Sequence, residues 1–208
     1  MTNLRERNKK DRRNRILDAA RQNFLEHGFE NATIDSIAAI ADVSAVTIYN
    51  YYGTKGGLLL ALAARSGQIL IEKIKNVAPK PAKTSMDALD ALCRLSTTVN
   101  DHALADLGRA IWRHTIATSI VEGRPELGHD YFRIARELKA LLCGCVATPE
   151  RRRRDGGRGH PSPGEIFYNI HNARFIQFIT DTSIPREMLD VLVRRDYAFI
   201  LDVPYTDA

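Results

Sequence analysis

Residues 33–55, TIDSIAAIADVSAVTIYNYYGTK, decide the fold. Thr33 stands where an N-cap belongs, its hydroxyl able to accept from a backbone N–H one turn in that has no partner within the helix. Behind it Ile34, Ile37, Ala38 and Ala41 recur at helical spacing, which leaves Asp35 and Ser36 toward water. Asp42-Val43 makes a turn, and Ser44 caps a second short helix with Val43 and Ile48 directed inward. Ala45, Thr47, Tyr49 and Asn50 then fall on its outer surface. That face is small, uncharged and rich in hydrogen-bonding groups, which suits a helix that enters a major groove. Thr47, Tyr49 and Asn50 can reach base edges or phosphates, and an Asn amide can make a bidentate match to adenine. Thr54 caps a longer helix with Lys55 in its first turn. A cation at a helix N-terminus opposes the macrodipole, and a phosphate would account for it.

Upstream, Arg5, Arg7, Lys9, Lys10, Arg12, Arg13 and Arg15 crowd the start of the chain, offset by Glu6 and Asp11. Ile16, Leu17, Ala20 and Phe24 follow as one apolar stripe of a helix that Gly28, a good left-handed terminal residue, brings to an end. The reading is a basic arm entering a helix that packs on the helix-turn-helix. Basic charge beside a reading helix is the electrostatic footprint of a DNA-binding domain.

The stretch 12–59, RRNRILDAARQNFLEHGFENATIDSIAAIADVSAVTIYNYYGTKGGLL, resembles the N-terminal domain of the TetR family of bacterial transcriptional regulators. The resemblance rests on ILDAA followed by GFENATIDSIA, then VS-x-x-T-I-Y-x-Y-Y, then TK with leucines behind it. It implies phosphate contacts from Thr33, Tyr51 and Lys55, groove contacts from Thr47, Tyr49 and Asn50, and a core role for Tyr52. Ser44, Ala45 and Val46 complete the expected DNA-facing set. Three positions depart from the pattern. Asp42 replaces the usual turn glycine, at about 1–2 kcal/mol for a left-handed backbone. Val46 replaces a small residue and adds bulk at the DNA face. Gly56 replaces an acidic residue, and with Gly57 weakens that helix start by roughly 1 kcal/mol each. A loosely wound start there is expected, with a role in signalling between domains.

Beyond Lys55 the chain reads as helical to its end. Leu58, Leu59, Leu62, Ile69, Ile71 and Ile74 carry a long helix that stops before the linker PKPAKTS. Met86, Leu89, Leu92 and Val99 mark the next, and Leu104, Leu107, Ile111 and His114 the one after. Pro125 suits a first turn, and Leu127, Tyr131, Ile134, Leu138 and Leu141 carry the period to about Val146. Residues 148–163, TPERRRRDGGRGHPSP, have no apolar period and read as a flexible loop. Ser162 and Glu165, with Pro163 between, form a capping box that restarts the helix. The fold class is all-α: residues 1–54 as a basic arm and three-helix DNA-binding domain, 55–208 as a larger helical regulatory and dimerisation domain.

In the first of the last two helices Ile166, Ile170 and Ala173 form one stripe, and Phe167, His171, Phe175 and Phe178 another. After Pro185, Met188, Leu189, Leu192, Val193, Phe199 and Ile200 repeat the theme. A helix apolar on two sides must bury both, and a symmetric copy supplies the second cover in a four-helix interface. The resemblance implies the homodimer independently, since two reading helices must meet half-sites about 34–36 Å apart.

Trp112, His114, Tyr131, Phe167, His171 and Phe175 are the candidate lining of a pocket for an unidentified small-molecule inducer. The resemblance implies a repressor that binds a palindromic operator and is released when that ligand favours a different state of the dimer. The alternative is a helical ligand-binding or assembly-factor protein that keeps the helix-turn-helix as scaffold. No enzyme is expected, because HExxH, GxSxG and Gly-rich phosphate loops are missing from the sequence. No metal or cofactor is expected either: Cys143-Gly144-Cys145 is too tight a spacing for a zinc knuckle. Net charge +5 favours a polyanionic partner. The basic start that runs into an amphipathic helix, the lack of a long apolar run and the three cysteines predict a cytoplasmic protein without a leader or membrane anchor.

Overall fold

A computed structural model describes residues 4–76, 82–122, 125–146 and 163–205, with the backbone alone at 125–128, 142–146 and 163. The described residues are all-α, without a strand, as the sequence predicts. In chain order the helices are α1 (Leu4–Asn31), α2 (Ile34–Ala41), α3 (Ala45–Tyr52), α4 (Lys55–Asn76), α5 (Ser85–Asp106), α6 (Gly108–Val121), α7 (Pro125–Val146), α8 (Pro163–Thr180) and α9 (Arg186–Leu201).

The expected basic arm is itself helical, its cations lying on the exposed first turns of α1. Lys and Arg are good helix formers, and no Gly or Pro interrupts the run before Ile16. Gly28 breaks the helix as predicted, with φ +76°, before a last turn to Asn31. Further on, Leu104 belongs to α5 rather than to the following helix, because the left-handed Gly108 (φ +73°) places the break after Asp106. The α5 start carries a capping box that periodicity did not reveal. Asp87 N–H donates to Thr84 Oγ1 at 3.0 Å, and the Asp87 carboxylate accepts from Thr84 N–H at 3.0 Å. These bonds to Thr84 hold the Asp87 carboxyl below its usual range. Residues 79–81 of the linker, residues 148–162 of the predicted loop with the Ser162 cap, and the side chains of Cys143 and Cys145 lie outside the described residues, whereas Pro163, placed in that loop by the sequence reading, opens α8.

The chain divides into two compact units, one of Met1–Gln68 with Leu104–Arg133, the other of Ile69–Ala103 with Ile134–Ala208. In the first, α1 packs on α2 and α6, and α2 on α3. Its core joins Ile16, Ala20 and Phe24 of α1 to Ile37 of α2, Ile48 and Tyr52 of α3, Leu58, Leu59 and Leu62 of α4, and Leu107 and Ile111. In the second, α8 packs on α9. There Tyr197 is fully buried, meets the Phe167 ring edge-on at 5.0 Å, and donates its hydroxyl to the Phe167 carbonyl at 3.1 Å.

A polar seam runs through this second core. His171 Nε2 lies 2.9 Å from Asn100 Oδ1, and Asn100 Nδ2 donates to Asp190 Oδ1 at 3.4 Å. Arg186 joins Asp190 at 2.9 Å and Asp101 at 2.6 Å. The two-sided character of the last helix is present as predicted: Leu189, Val193 and Tyr197 are buried, whereas Met188, Val191, Phe199 and Ile200 are exposed, Phe199 at 85%. Ile69, expected inward on α4, is exposed, and Leu70 takes the buried place. No helix of the described residues is long and apolar enough to cross a membrane.

Candidate nucleic-acid interface

The helix-turn-helix is built from short-range bonds that the sequence specifies. Thr33 is extended (φ −115°), and its Oγ1 accepts from Ser36 N–H at 3.1 Å. Ser36 Oγ lies 3.3 Å from Thr33 N and completes the capping box. Ser36, expected in water, is half-buried, since its hydroxyl also reaches Asn23 Oδ1 of α1 at 3.2 Å. Asp42 adopts the left-handed conformation the turn requires (φ 52°, ψ 55°). It and Val43 return their N–H groups to Ala39 and Ala38 carbonyls at 3.3 and 3.0 Å, closing α2. Ser44 caps α3 by accepting from Thr47 N–H at 3.2 Å.

Ile48 and Tyr52 anchor α3 in the core, which turns Val46 (66% exposed), Tyr49 (51%) and Asn50 outward on one face. Thr47 and Tyr51 flank that face, half-buried. Ala45, expected on the outer surface, is partly buried against the core. Its spacing of three and seven residues from Ile48 and Tyr52 puts all three on the same side of the helix. The outward face is uncharged, with one amide, one phenol and one branched aliphatic group, and it can read base edges without desolvating a fixed charge.

Lys55 has a partner the sequence did not suggest. Its Nζ donates to the carbonyls of Phe29 (2.8 Å), Glu30 (3.2 Å) and Ala32 (3.0 Å) and sits 4.6 Å from the centre of the Phe29 ring. The cation at the start of α4 therefore closes the carbonyl end of α1, where a positive charge is favourable. The α4 start receives its anion from elsewhere. Thr54 Oγ1 accepts from Gly57 N–H at 2.8 Å and donates to Glu122 Oε2 at 2.7 Å. A Cβ at Gly56 would lie 2.4 Å from Glu122 Oε1, so the missing side chain makes room for this carboxylate. Glu122, just past α6, thus supplies at the α4 N-terminus the negative charge that residue 56 does not carry, a role no local pattern announces. At Gly57 a Cβ would lie 2.1 Å from the Tyr52 carbonyl oxygen. The glycine pair expected to loosen this helix start instead permits two close approaches. Glu122→Ala is expected to lower stability by about 1 kcal/mol through loss of this cap. Urea unfolding of the variant checks it, and an unchanged midpoint would remove the role.

The six pocket candidates divide between the compact units: Trp112, His114 and Tyr131 in the first, Phe167, His171 and Phe175 in the second. Trp112 and Tyr131 are partly buried against the first core. His114 lies 5.1 Å from the Phe29 ring and 3.5 Å from Glu30 Oε1. Phe167 is fully buried, and the His171 ring stacks toward Phe175 with centroids 6.4 Å apart. Burial pushes the His171 imidazole down to about 4, so it is neutral near pH 7. Among the described residues no group of three or more His, Cys, Asp or Glu side chains is arranged to hold a metal ion.

Residues 16–62 match the family model described as bacterial regulatory proteins, tetR family. The HTH-type transcriptional repressor AcnR of Corynebacterium glutamicum is 36% identical over 62 residues, which are 30% of this chain and 33% of that protein. The chain thus aligns with about a third of the length of that curated relative. Two solved structures share the fold over nearly the whole chain. A TetR transcriptional regulator from Rhodococcus sp. RHA1 aligns with TM-score 0.65 and 16% identity, covering 96% of this chain and 100% of that one. Thermus thermophilus FadR, a TetR family transcriptional repressor in complex with lauroyl-CoA, aligns with TM-score 0.65 and 18% identity, covering 94% and 97%.

Proposed function

We propose that this chain, which belongs to the TetR family of bacterial regulatory proteins through its helix-turn-helix domain, is a ligand-responsive transcriptional repressor that binds a palindromic operator as a homodimer. The observation that carries the reading is the outward, uncharged face of α3, held by the Ser44 side-chain cap in the same compact unit as the cationic first turns of α1. Tyr49 and Asn50 read base edges, with Val46 and Thr47 beside them and Ser44 and Ala45 at the helix start. Thr33, Tyr51 and Lys55 meet phosphates, Lys55 by exchanging one carbonyl partner for a phosphate oxygen. Residues 1–54 form the DNA-binding part and 55–208 the regulatory and dimerising part, in a cytoplasmic protein. The exposed Met188, Val191, Phe199 and Ile200 of α9, with α8, form the dimer face.

The inducer is a small molecule, and the lauroyl-CoA bound by the Thermus protein makes an acyl-CoA the first compound to test. Of the six candidates, Trp112, His114 and Tyr131, in the first unit and only partly buried, retain surface for such a ligand. A gel shift with the DNA upstream of the gene tests the reading. It is expected to give salt-sensitive, sequence-selective binding with two chains per site. Asn50→Ala costs about 1–3 kcal/mol and relaxes preference at one base position, whereas Lys55→Ala lowers affinity for every sequence. Selective binding by one chain per site would defeat the dimer, and no binding over a wide concentration range would defeat the repressor.

A further inference from the structure

A cleft that shares only the cations of the basic arm with the proposed DNA surface, and none of the α3 reading residues, lies in the N-terminal compact unit, lined from α1, α4 and the first half of α7. Its volume is about 530 Å³, within the range that holds small molecules. Five cations face it, Lys9, Lys10, Arg13, Arg65 and Arg133, against the carboxylates of Glu6 and Asp130. A concave wall of one predominant sign focuses its field on whatever enters.

Two of the guanidinium groups are held in place by neighbouring side chains. Arg65 Nη1 donates to Asp18 Oδ1 at 2.8 Å and to the Asn14 carbonyl at 3.4 Å, and its side chain is only 23% exposed. Arg133 reaches Gln68 Oε1 from both terminal nitrogens, at 3.4 and 3.5 Å, and lies 3.6 Å from Asp130. A guanidinium carries five N–H donors in a rigid fork that matches phosphate oxygens, so Arg65, fixed through Nη1 on one edge, is held ready for one. Leu17, Ala61 and Ala64 add an apolar wall. A bare phosphate occupies a small part of this volume, whereas an ester fills both the cationic and the apolar portions.

We infer that the cleft is a binding site for a small phosphate ester, with its phosphate on Arg65, Arg133 and Lys10 and its organic part on Leu17, Ala61 and Ala64. The phosphate of a free metabolite and that of a DNA backbone share this chemistry, and the concave shape favours the free ester. Calorimetric titration of the DNA-free protein with phenyl phosphate, and separately with inorganic phosphate, tests the site whether or not the repressor reading holds. Saturable binding of one phenyl phosphate per chain, tighter than inorganic phosphate, is expected. Arg133→Met and Lys10→Gln, each with an unchanged melting temperature, are expected to weaken it by about tenfold or more. Absence of saturable binding, or binding unaltered in both variants, overturns the site. If the two cations respond only to a random-sequence duplex, the phosphate is that of DNA and the small-molecule site is refuted.

Discussion

Gly57→Ala is expected to destabilise the protein by about 2 kcal/mol, although alanine is the better helix former. The gain in helix propensity is about 1 kcal/mol. Against it stands a Cβ only 2.1 Å from the Tyr52 carbonyl oxygen, a backbone atom with no rotamer to move aside. Relieving that contact displaces the end of α3 from α4. So short an approach to a backbone atom takes the upper end of the about 1–3 kcal/mol that overpacking costs, which leaves about 2 kcal/mol after the propensity gain. Gly56→Ala provides the contrast. Its new methyl group meets the tip of Glu122, a flexible side chain that can swing away. The lost cap, about 1 kcal/mol, is then offset by a similar gain in propensity. Urea unfolding at neutral pH separates the two: a clear fall in midpoint for Gly57→Ala and a small change of either sign for Gly56→Ala. A Gly57→Ala protein as stable as the parent would show that the α3–α4 corner is not as tight as the geometry makes it. Because α3 carries the outward face, Gly57→Ala should also weaken operator binding more than Gly56→Ala does.

Acidification should remove about 3 kcal/mol of stability between pH 6.5 and 4, through His171. Burial pushes this imidazole from 6.5 down to about 4 in the folded chain, so the unfolded chain binds the proton more readily. Stability rises with pH wherever the unfolded state holds more protons. The contribution is therefore fully present above the unfolded value and lost as pH falls toward the folded one, about 1.4 kcal/mol for each unit of difference. The groups around His171 explain why burial prevails. Asp190 favours the charged ring, as does the Ser96 backbone, but Arg186 opposes it and Asn100 is neutral. Unfolding free energies measured at pH 7 and 4.5 are expected to converge in His171→Gln, which keeps a hydrogen-bonding group but has no proton to gain in this range. An equal loss in parent and variant would assign the acid sensitivity to other groups.

The two expectations differ in how far a sequence reading could reach them. The caps at Thr33, Ser44 and Thr54, the left-handed Asp42 and the terminating Gly28 were all legible, because each depends on neighbours within four or five positions. The inward faces of α2 and α3 were legible for the same reason, apart from Ala45, whose place follows from the angle it shares with Ile48 and Tyr52. The dual apolar faces of α9 were equally plain in the pattern.

What the sequence by itself determined is the set of local elements: all-α class, most helix limits, the helix-turn-helix and, Ala45 excepted, the residues it turns outward. Those follow from hydrogen bonds and side-chain spacing along one stretch of chain. The tertiary structure alone decided the partners across long separations. Lys55 meets the end of α1 instead of solvent, Glu122 reaches Thr54 across 68 residues, and His171 pairs with Asn100 across 71. The physical reason is that a charge or an empty glycine has no periodicity, and its meaning depends on which distant surface packing brings against it.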